Sequence, residues 1–310
     1  MIHPYARPDY AAALGHIGRP VAVPEWDAWV LARPTPCGTR EDAVGVYPVT
    51  VISDDADLAA GLARLKALGL VSLVLVAGDR LGPPPAALEA AFDFARSFKS
   101  HQILDRDLGP LAYGKHHRYE IKRALGRVVA TEIALGDHLP AWEALYGELA
   151  ARHGLGGAHV FPPEHHALLA VLPGVRTFAA FIDERMVSVH VFVTHEGHAM
   201  SHLAASAAEG YAAGAAYAVN DLAARTLVDC PVINFGGGAG MSDNPEDGLV
   251  RFKKGFANTV APARLCGAVL DAEAYRALSA QTVGADSVDS GFFPAYRGPR
   301  KVEQANERQG

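Results

Sequence analysis

Three runs of β-branched, aromatic and small apolar residues follow one another at 177–182, 187–194 and 198–204, joined only by Asp183-Glu184-Arg185 and Glu196-Gly197. Connections that short join antiparallel neighbours, since a parallel pair needs a crossover of about a dozen residues or more. The chain is therefore expected to hold a three-stranded meander here. Small residues at 206–216 lead into a helix expected at 214–227, and a strand is expected at 232–235.

The rest of the chain alternates in the same way. Strands are expected at 26–32, 44–52, 71–76, 101–104, 128–135 and 268–270. Leu58, Leu62 and Leu65 share one helical face over 58–68, with Asp54 or Asp55 as the N-cap and Gly69 as the stop. Further helices are expected at 85–98, entered through Pro83-Pro84-Pro85, and at 113–125, 139–153 and 163–172. Helices feed a sheet in each half, with no residue-level repeat between them. The fold class is α/β (α+β). At 310 residues two domains are expected, divided as 1–135 and 136–280, with an irregular polar tail at 281–310.

Composition narrows the function classes. Half of the residues are hydrophobic and 20% charged, enough apolar surface for a folded globular chain. Cys37, Cys230 and Cys266 have no paired spacing, which disfavours a disulfide framework or a zinc site. The N-terminus has no apolar leader and the apolar run at 68–77 is too short to span a bilayer, so a cytoplasmic protein without membrane insertion is expected. The formal charge of −6 disfavours indiscriminate DNA or RNA binding, yet residues 96–127 carry eight basic side chains against three acidic ones.

Chemistry concentrates near the C-terminal end of the globular part. The glycine cluster Asn234-Phe235-Gly236-Gly237-Gly238-Ala239-Gly240 precedes Phe252-Lys253-Lys254-Gly255-Phe256. A lysine at a glycine-lined turn can place a cation beside a reacting carbonyl, although a solvated lysine fits the same residues. In an extended segment Lys253 and Lys254 would point opposite ways, so only one should matter. On the basic helix, Lys115, Arg118 and Lys122 recur on one face with Arg123 on an adjoining one; the face suits phosphate or simply water. His190, His195, His198 and His202, with the pairs His116-His117 and His165-His166, lack an acid or cysteine at a familiar ligand spacing, so no metal is expected. His202 is instead a candidate proton acceptor, because imidazole titrates near neutral pH. No Gly-x-Ser-x-Gly, Walker loop or Gly-x-Gly-x-x-Gly after a strand is present.

Over roughly residues 95–270 the chain resembles the FemABX-like branch of the GNAT acyltransferase superfamily. The resemblance rests on the basic helix 115–125, the meander with His202-Leu203-Ala204-Ala205-Ser206 and its small-residue loop, and the Phe252-Lys253-Lys254-Gly255-Phe256 motif. It implies tandem GNAT-like domains, each a mixed, mostly antiparallel sheet flanked by helices, and amide formation from an activated acyl donor. It implies that Lys253 stabilises an oxyanion, with His202 in the acyl cleft and Phe252 shaping the pocket. Arg118, Lys122, Arg123 and Asp105 would contact the acceptor, although the proline expected next to Asp105 is absent. Ser206, Gly210, Tyr211 and Gly214 would form the donor loop, which lacks the family's basic or amide start.

The expected activity is acyl transfer to an amine, with acyl-CoA favoured as co-substrate over aminoacyl-tRNA and no tightly bound cofactor. The acceptor would be a small-molecule or nucleotide-linked amine. The competing expectations are a tRNA-dependent transferase acting on a cell-wall precursor or small metabolite, and a non-catalytic protein that binds a phosphorylated ligand.

Overall fold

The computed structural model describes residues 2–240, 243–283 and 292–298; the rest of the expected tail lies outside the described residues. Two compact units are present, one formed by residues 1–97 and 263–310, the other by 98–262. The division differs from a cut after Leu135, because the first unit is completed by a C-terminal segment that returns to it.

In the first unit α1 (Pro8–Ala13) leads to strands β1 (Arg19–Val23), β2 (Ala28–Pro34) and β3 (Glu41–Gly45), then helix α2 (Leu58–Ala67), strand β4 (Ser72–Ala77) and helix α3 (Pro85–Ala91). β1, β2 and β3 pair antiparallel in that order, β3 runs parallel to β4, and residues 264–269 pair antiparallel with β4. Asp57, not Asp54 or Asp55, caps α2 by accepting from the Ala60 amide at 2.9 Å. α2 packs through Leu58 and Leu65, and Gly61 admits the indole of Trp26, fully buried against Phe92. Helix α3 stops at Ala91 rather than 98: Phe94, Arg96 and Phe98 alternate, and strand β5 (Phe94–Asp105) begins there. One other expectation shortens and two further elements are present. The strand at 44–52 ends at Gly45, and 19–23 and 8–13 form elements that sequence periodicity did not reveal.

Two described C-terminal segments belong to this unit. Helix α10 (Ala272–Val283) and residues 292–298 pack Tyr275, Ala295 and Tyr296 against Val71. The carboxylate of Asp42, wholly buried, accepts from Arg297 at 2.6 and 3.0 Å, from Arg33 at 3.0 Å and from the Tyr296 hydroxyl at 2.9 Å. A buried carboxylate needs such partners to offset its lost hydration.

The second unit carries the meander. After helix α4 (Lys115–Leu125) come β6 (Val129–Ile133), α5 (Leu139–His153), α6 (Pro163–Val171), β7 (Val175–Ile182), β8 (Arg185–His195) and β9 (His198–Ser206). Helices α7 (Ala208–Ala213) and α8 (Ala215–Thr226), strand β10 (Val232–Asn234), helix α9 (Gly248–Lys254) and strand β11 (Thr259–Val269) follow. β7, β8 and β9 pair antiparallel as expected, β6 joins them antiparallel to β7, β9 runs parallel to β10, and β10 antiparallel to β5. Each unit is thus a mixed, mostly antiparallel sheet flanked by helices. α4 and α8 cover one face, with Phe178, Phe192, Ala218, Phe235 and Phe256 in the core between them and the sheet. No helix among the described residues is long and apolar enough to cross a membrane.

Two details of β9 position the site. Its pairing with β10 covers only 198–200, so the strands part at Ser201. Its register with β8 steps from Val191↔Leu203 to Phe192↔Ser201, leaving His202 as the extra residue of a β-bulge. Ser201, Ala204 and Ser206 consequently share the α8 face, whereas His202 and Leu203 turn to the other.

Candidate active site

Helix α9 exists because Asp247 caps it: its Oδ1 accepts from the Leu249 and Val250 amides at 2.8 and 3.2 Å. This corrects the extended segment expected at Lys253. On a helix successive side chains diverge by about 100°, and the two lysines do separate. Lys254 is exposed, while Lys253 is half-buried and its ammonium donates to the Gly237 carbonyl at 2.7 Å. Phe252 turns inward, 4.9 Å from the Tyr217 ring and 5.2 Å from Phe256, and its carbonyl accepts from His117 Nε2 at 2.9 Å.

The glycine cluster and the lysine therefore meet. Gly236 has φ +77°, and a Cβ there would lie 3.3 Å from the Lys253 ammonium. A Cβ on Gly237 would touch Lys99 and His101 at 3.3 and 3.4 Å. The glycines let the backbone run between these cations and imidazole. Lys99, buried, donates to the Ala239 carbonyl at 3.2 Å, and Asp243 accepts from the Ser100 amide and hydroxyl at 3.0 and 2.7 Å.

Electrostatics follow from this crowding. Burial pushes the Lys253 ammonium down to about 8; Asp247 opposes the shift and Lys99 adds to it. Burial, then the charge of Lys253, pushes His101 down to about 4. The proton of His101 can be placed by elimination. Asn234 Oδ1 accepts from the Gly236 amide at 2.7 Å, so its Nδ2 donates to His101 Nδ1 at 3.1 Å. Neutral His101 thus carries its hydrogen on Nε2, a second donor in the neighbourhood of Lys253.

The other sequence candidates are scattered. His202 is buried on the opposite face of the sheet, its ring stacked on His165 at 5.4 Å and 6.5 Å from Phe161, and burial pushes it down to about 3. A proton acceptor beside Lys253 cannot be drawn from there; the bulge turns the ring away. Asp105 lies four residues from His101 along β5, roughly 13 Å. Its Oδ1 accepts from the Asp107 amide at 3.1 Å, and Asn258 holds both of its backbone groups at 2.9 and 2.7 Å. It shapes a turn away from the lysine.

The inner face of α4 is His117, Ile121 and Ala124, which leaves Arg118 and Lys122 exposed, with Arg118 donating to the Tyr113 carbonyl at 2.8 Å. Arg123 pairs with Glu120 at 2.7 Å and lies 3.6 Å from where a Cβ on Gly214 would stand. Gly214, at φ +73°, links α7 to α8 and leaves the first turn of α8 without a side-chain cap. Gly210 is needed for packing, because a Cβ there would lie 2.1 Å from the Val187 carbonyl oxygen. Ser206 Oγ bonds Ser188 Oγ at 2.8 Å, and Tyr211 is exposed with the Arg152 guanidinium 4.8 Å over its ring. Of the donor residues, Gly214 with Arg123 makes the arrangement most like an anion cradle.

Sequence reasoning did not single out Lys99, His101, Asn234, Ser201 or Asn220. Asn234 and Ser201 are polar residues among apolar neighbours on their strands, a readable signal, whereas Lys99 and His101 lie in a polar stretch of β5 and Asn220 lies on helix α8, where composition marks none of them. Among the described residues, no group of three or more histidines, cysteines or acids is placed to hold a metal ion.

The sequence matches no protein-family model and no curated protein. Solved structures do match. The C-terminal domain of a candidate lysylphosphatidylglycerol synthetase from Agrobacterium fabrum has 14% identity and a TM-score of 0.59, covering 96% of each chain. FemX has 12% identity and a TM-score of 0.56 over 80% of this chain and 86% of its own. L-PGS from Bacillus licheniformis has 12% identity and a TM-score of 0.54 over 86% and 94%. At these identities the likeness is one of fold, and the FemABX/GNAT-like fold expected from the sequence is the one observed.

Proposed function

We propose that this protein is an acyltransferase that forms an amide, moving an acyl group from a thioester such as acyl-CoA to an amine. The observation that carries the reading is the Lys253 ammonium, held at 2.7 Å by one carbonyl oxygen in a glycine-lined site. An ammonium has three N–H donors, of which the Gly237 carbonyl takes one, and a cation is worth most to an oxygen that becomes an oxyanion. When the amine nitrogen attacks, charge develops on the acyl oxygen, and Lys253 with the Nε2 hydrogen of His101 would stabilise it. The C–N bond forms, the C–S bond breaks, and the departing thiolate takes up the proton that the nitrogen sheds. Alignment supplies the rest of the acceleration. Gly214 and Arg123 are the residues suited to the donor's phosphates.

An aminoacyl-tRNA donor is the second reading, favoured by the exposed Lys115, Arg118 and Lys122 on α4. The test is turnover by the full chain with acetyl-CoA or a charged tRNA pool against a panel of primary amines. Amide product that Lys253→Ala lowers about a hundredfold or more supports the proposal. Ribonuclease sensitivity assigns the donor to tRNA. A wild-type chain that transfers to no amine from either donor overturns it.

A further inference from the structure

A chain of hydrogen bonds crosses the α8 face beside this site, and the direction of each bond follows from the one before. Asn220 Nδ2 donates to the Ala216 carbonyl at 2.8 Å, and a carbonyl only accepts. Asn220 therefore turns its oxygen to His190 Nδ1, 3.1 Å away, so the hydrogen of neutral His190 resides on Nδ1. That leaves Nε2 as an acceptor. Ser201 Oγ, 2.7 Å from it, must donate. Its hydroxyl hydrogen is committed, and the serine presents lone pairs only.

Where those lone pairs point matters. Ser201 is the first residue of β9 past its pairing with β10, and it is half-buried, whereas His190 and Asn220 behind it are buried. The parting of the two strands opens at that residue. The charge of Lys253 is felt at His190, which places the chain within electrostatic reach of the ammonium.

Serine, imidazole and amide in line would also fit a nucleophile with its base and orienting group. Magnitudes decide against that role. Burial, then Lys253, pushes His190 down to about 3, and Asn220 offers no negative charge to steady an imidazolium. A base that weak does not take the proton of a serine hydroxyl near neutral pH.

We infer that Ser201 is the amine-binding residue of the site, accepting a hydrogen bond from the N–H of the attacking amine, with His190 and Asn220 as positioning residues that keep its oxygen an acceptor. The inference rests on the acyl-transfer reading and adds the acceptor's contact to it. An N–H held by Ser201 leaves the nitrogen lone pair free to turn toward a carbonyl at Lys253. It also sets a preference: a primary amine keeps one hydrogen on Ser201 while it sheds another, whereas a secondary amine or an alcohol of the same shape competes poorly because its one hydrogen must also leave.

Two measurements on the full chain test this. Long-range proton–nitrogen correlation spectra should show His190 as the Nδ1–H tautomer in the wild type, with its Nε2 resonance moved in Ser201→Ala. With acetyl-CoA or charged tRNA as donor and a primary-amine panel, Ser201→Ala should raise the amine KM about tenfold with a smaller change in kcat, and Ser201→Thr should restore it. An Nε2–H tautomer at His190, an unchanged amine KM in an active Ser201→Ala variant, or an acyl adduct trapped on Ser201 would each overturn the inference. The wild type turning over no amine would sink the acyl-transfer reading and the amine role together, an outcome distinct from the other three.

Discussion

The imidazole of His117 stands where a side chain on residue 255 would have to go: a Cβ there would lie 2.0 Å from its Cε1 and Nε2. The same ring holds the Phe252 carbonyl, so one histidine on α4 fixes both the last turn of α9 and the glycine that ends it.

Gly255→Ala should therefore displace His117 or α9 rather than be absorbed. An overpacked core position costs about 1–3 kcal/mol. We expect a lower melting temperature by calorimetry together with loss of transfer, since Lys253 sits two residues away. A Gly255→Ala protein with wild-type stability and rate would show that α9 is not held as described.

Lys253 should report its own protonation. With the ammonium pushed down to about 8, transfer that depends on the cation should fall as pH rises through that value. Lys253→Arg keeps its charge throughout and should lose this limb of the pH–rate profile, while the bulkier fork lowers the plateau. Lys254→Ala should change neither the rate nor its pH dependence.

Acid should weaken the second unit through its buried imidazoles. Burial holds His202 and His190 down to about 3 and His166 to about 4, while in the unfolded chain they protonate near 6.5. Below that pH the unfolded state binds more protons, so stability is full above about 6.5 and is lost as pH falls toward 4 and lower. Each ring forfeits on the order of 3 to 5 kcal/mol at the acid end. His202→Phe should flatten the pH dependence of urea unfolding while leaving transfer intact. Loss of transfer in a folded His202→Phe protein would return that residue to the site.

Asp42→Ala should destabilise the first unit by about 3–5 kcal/mol, because Arg33 and Arg297 would lose their shared buried partner. Urea unfolding followed in the first unit checks it. Asp42→Asn, which retains the acceptor oxygen for Tyr296, should cost less.

The meander, α2, α5, α6 and α8 were legible because their apolar periods are long and their turns short. The glycine cluster and Lys253 were legible as partners, although not the helix that joins them: 248–254 is brief, and its cap, Asp247, is a single residue in a polar stretch. His202 misled for a different reason. Strand alternation is readable only where it is unbroken, and a bulge leaves no compositional trace. Arg118 and Lys122 were correctly placed on one face of α4, but a helix pattern does not say which neighbour that face meets. Asn220 was invisible because its importance lies in which atom it turns to a histidine thirty residues away.

The extra residue in β9 makes the strand a phase shifter. Up to Ser201 odd-numbered positions look toward α8; from Ala204 even-numbered ones do. Removing His202 would restore plain alternation, leaving Ser201, Ala204 and Ser206 toward α8 and taking from the far face one of its two adjacent side chains. Descendants of this chain can therefore lose that one residue without exchanging the two linings, at the expense of the ring that His165 stacks on.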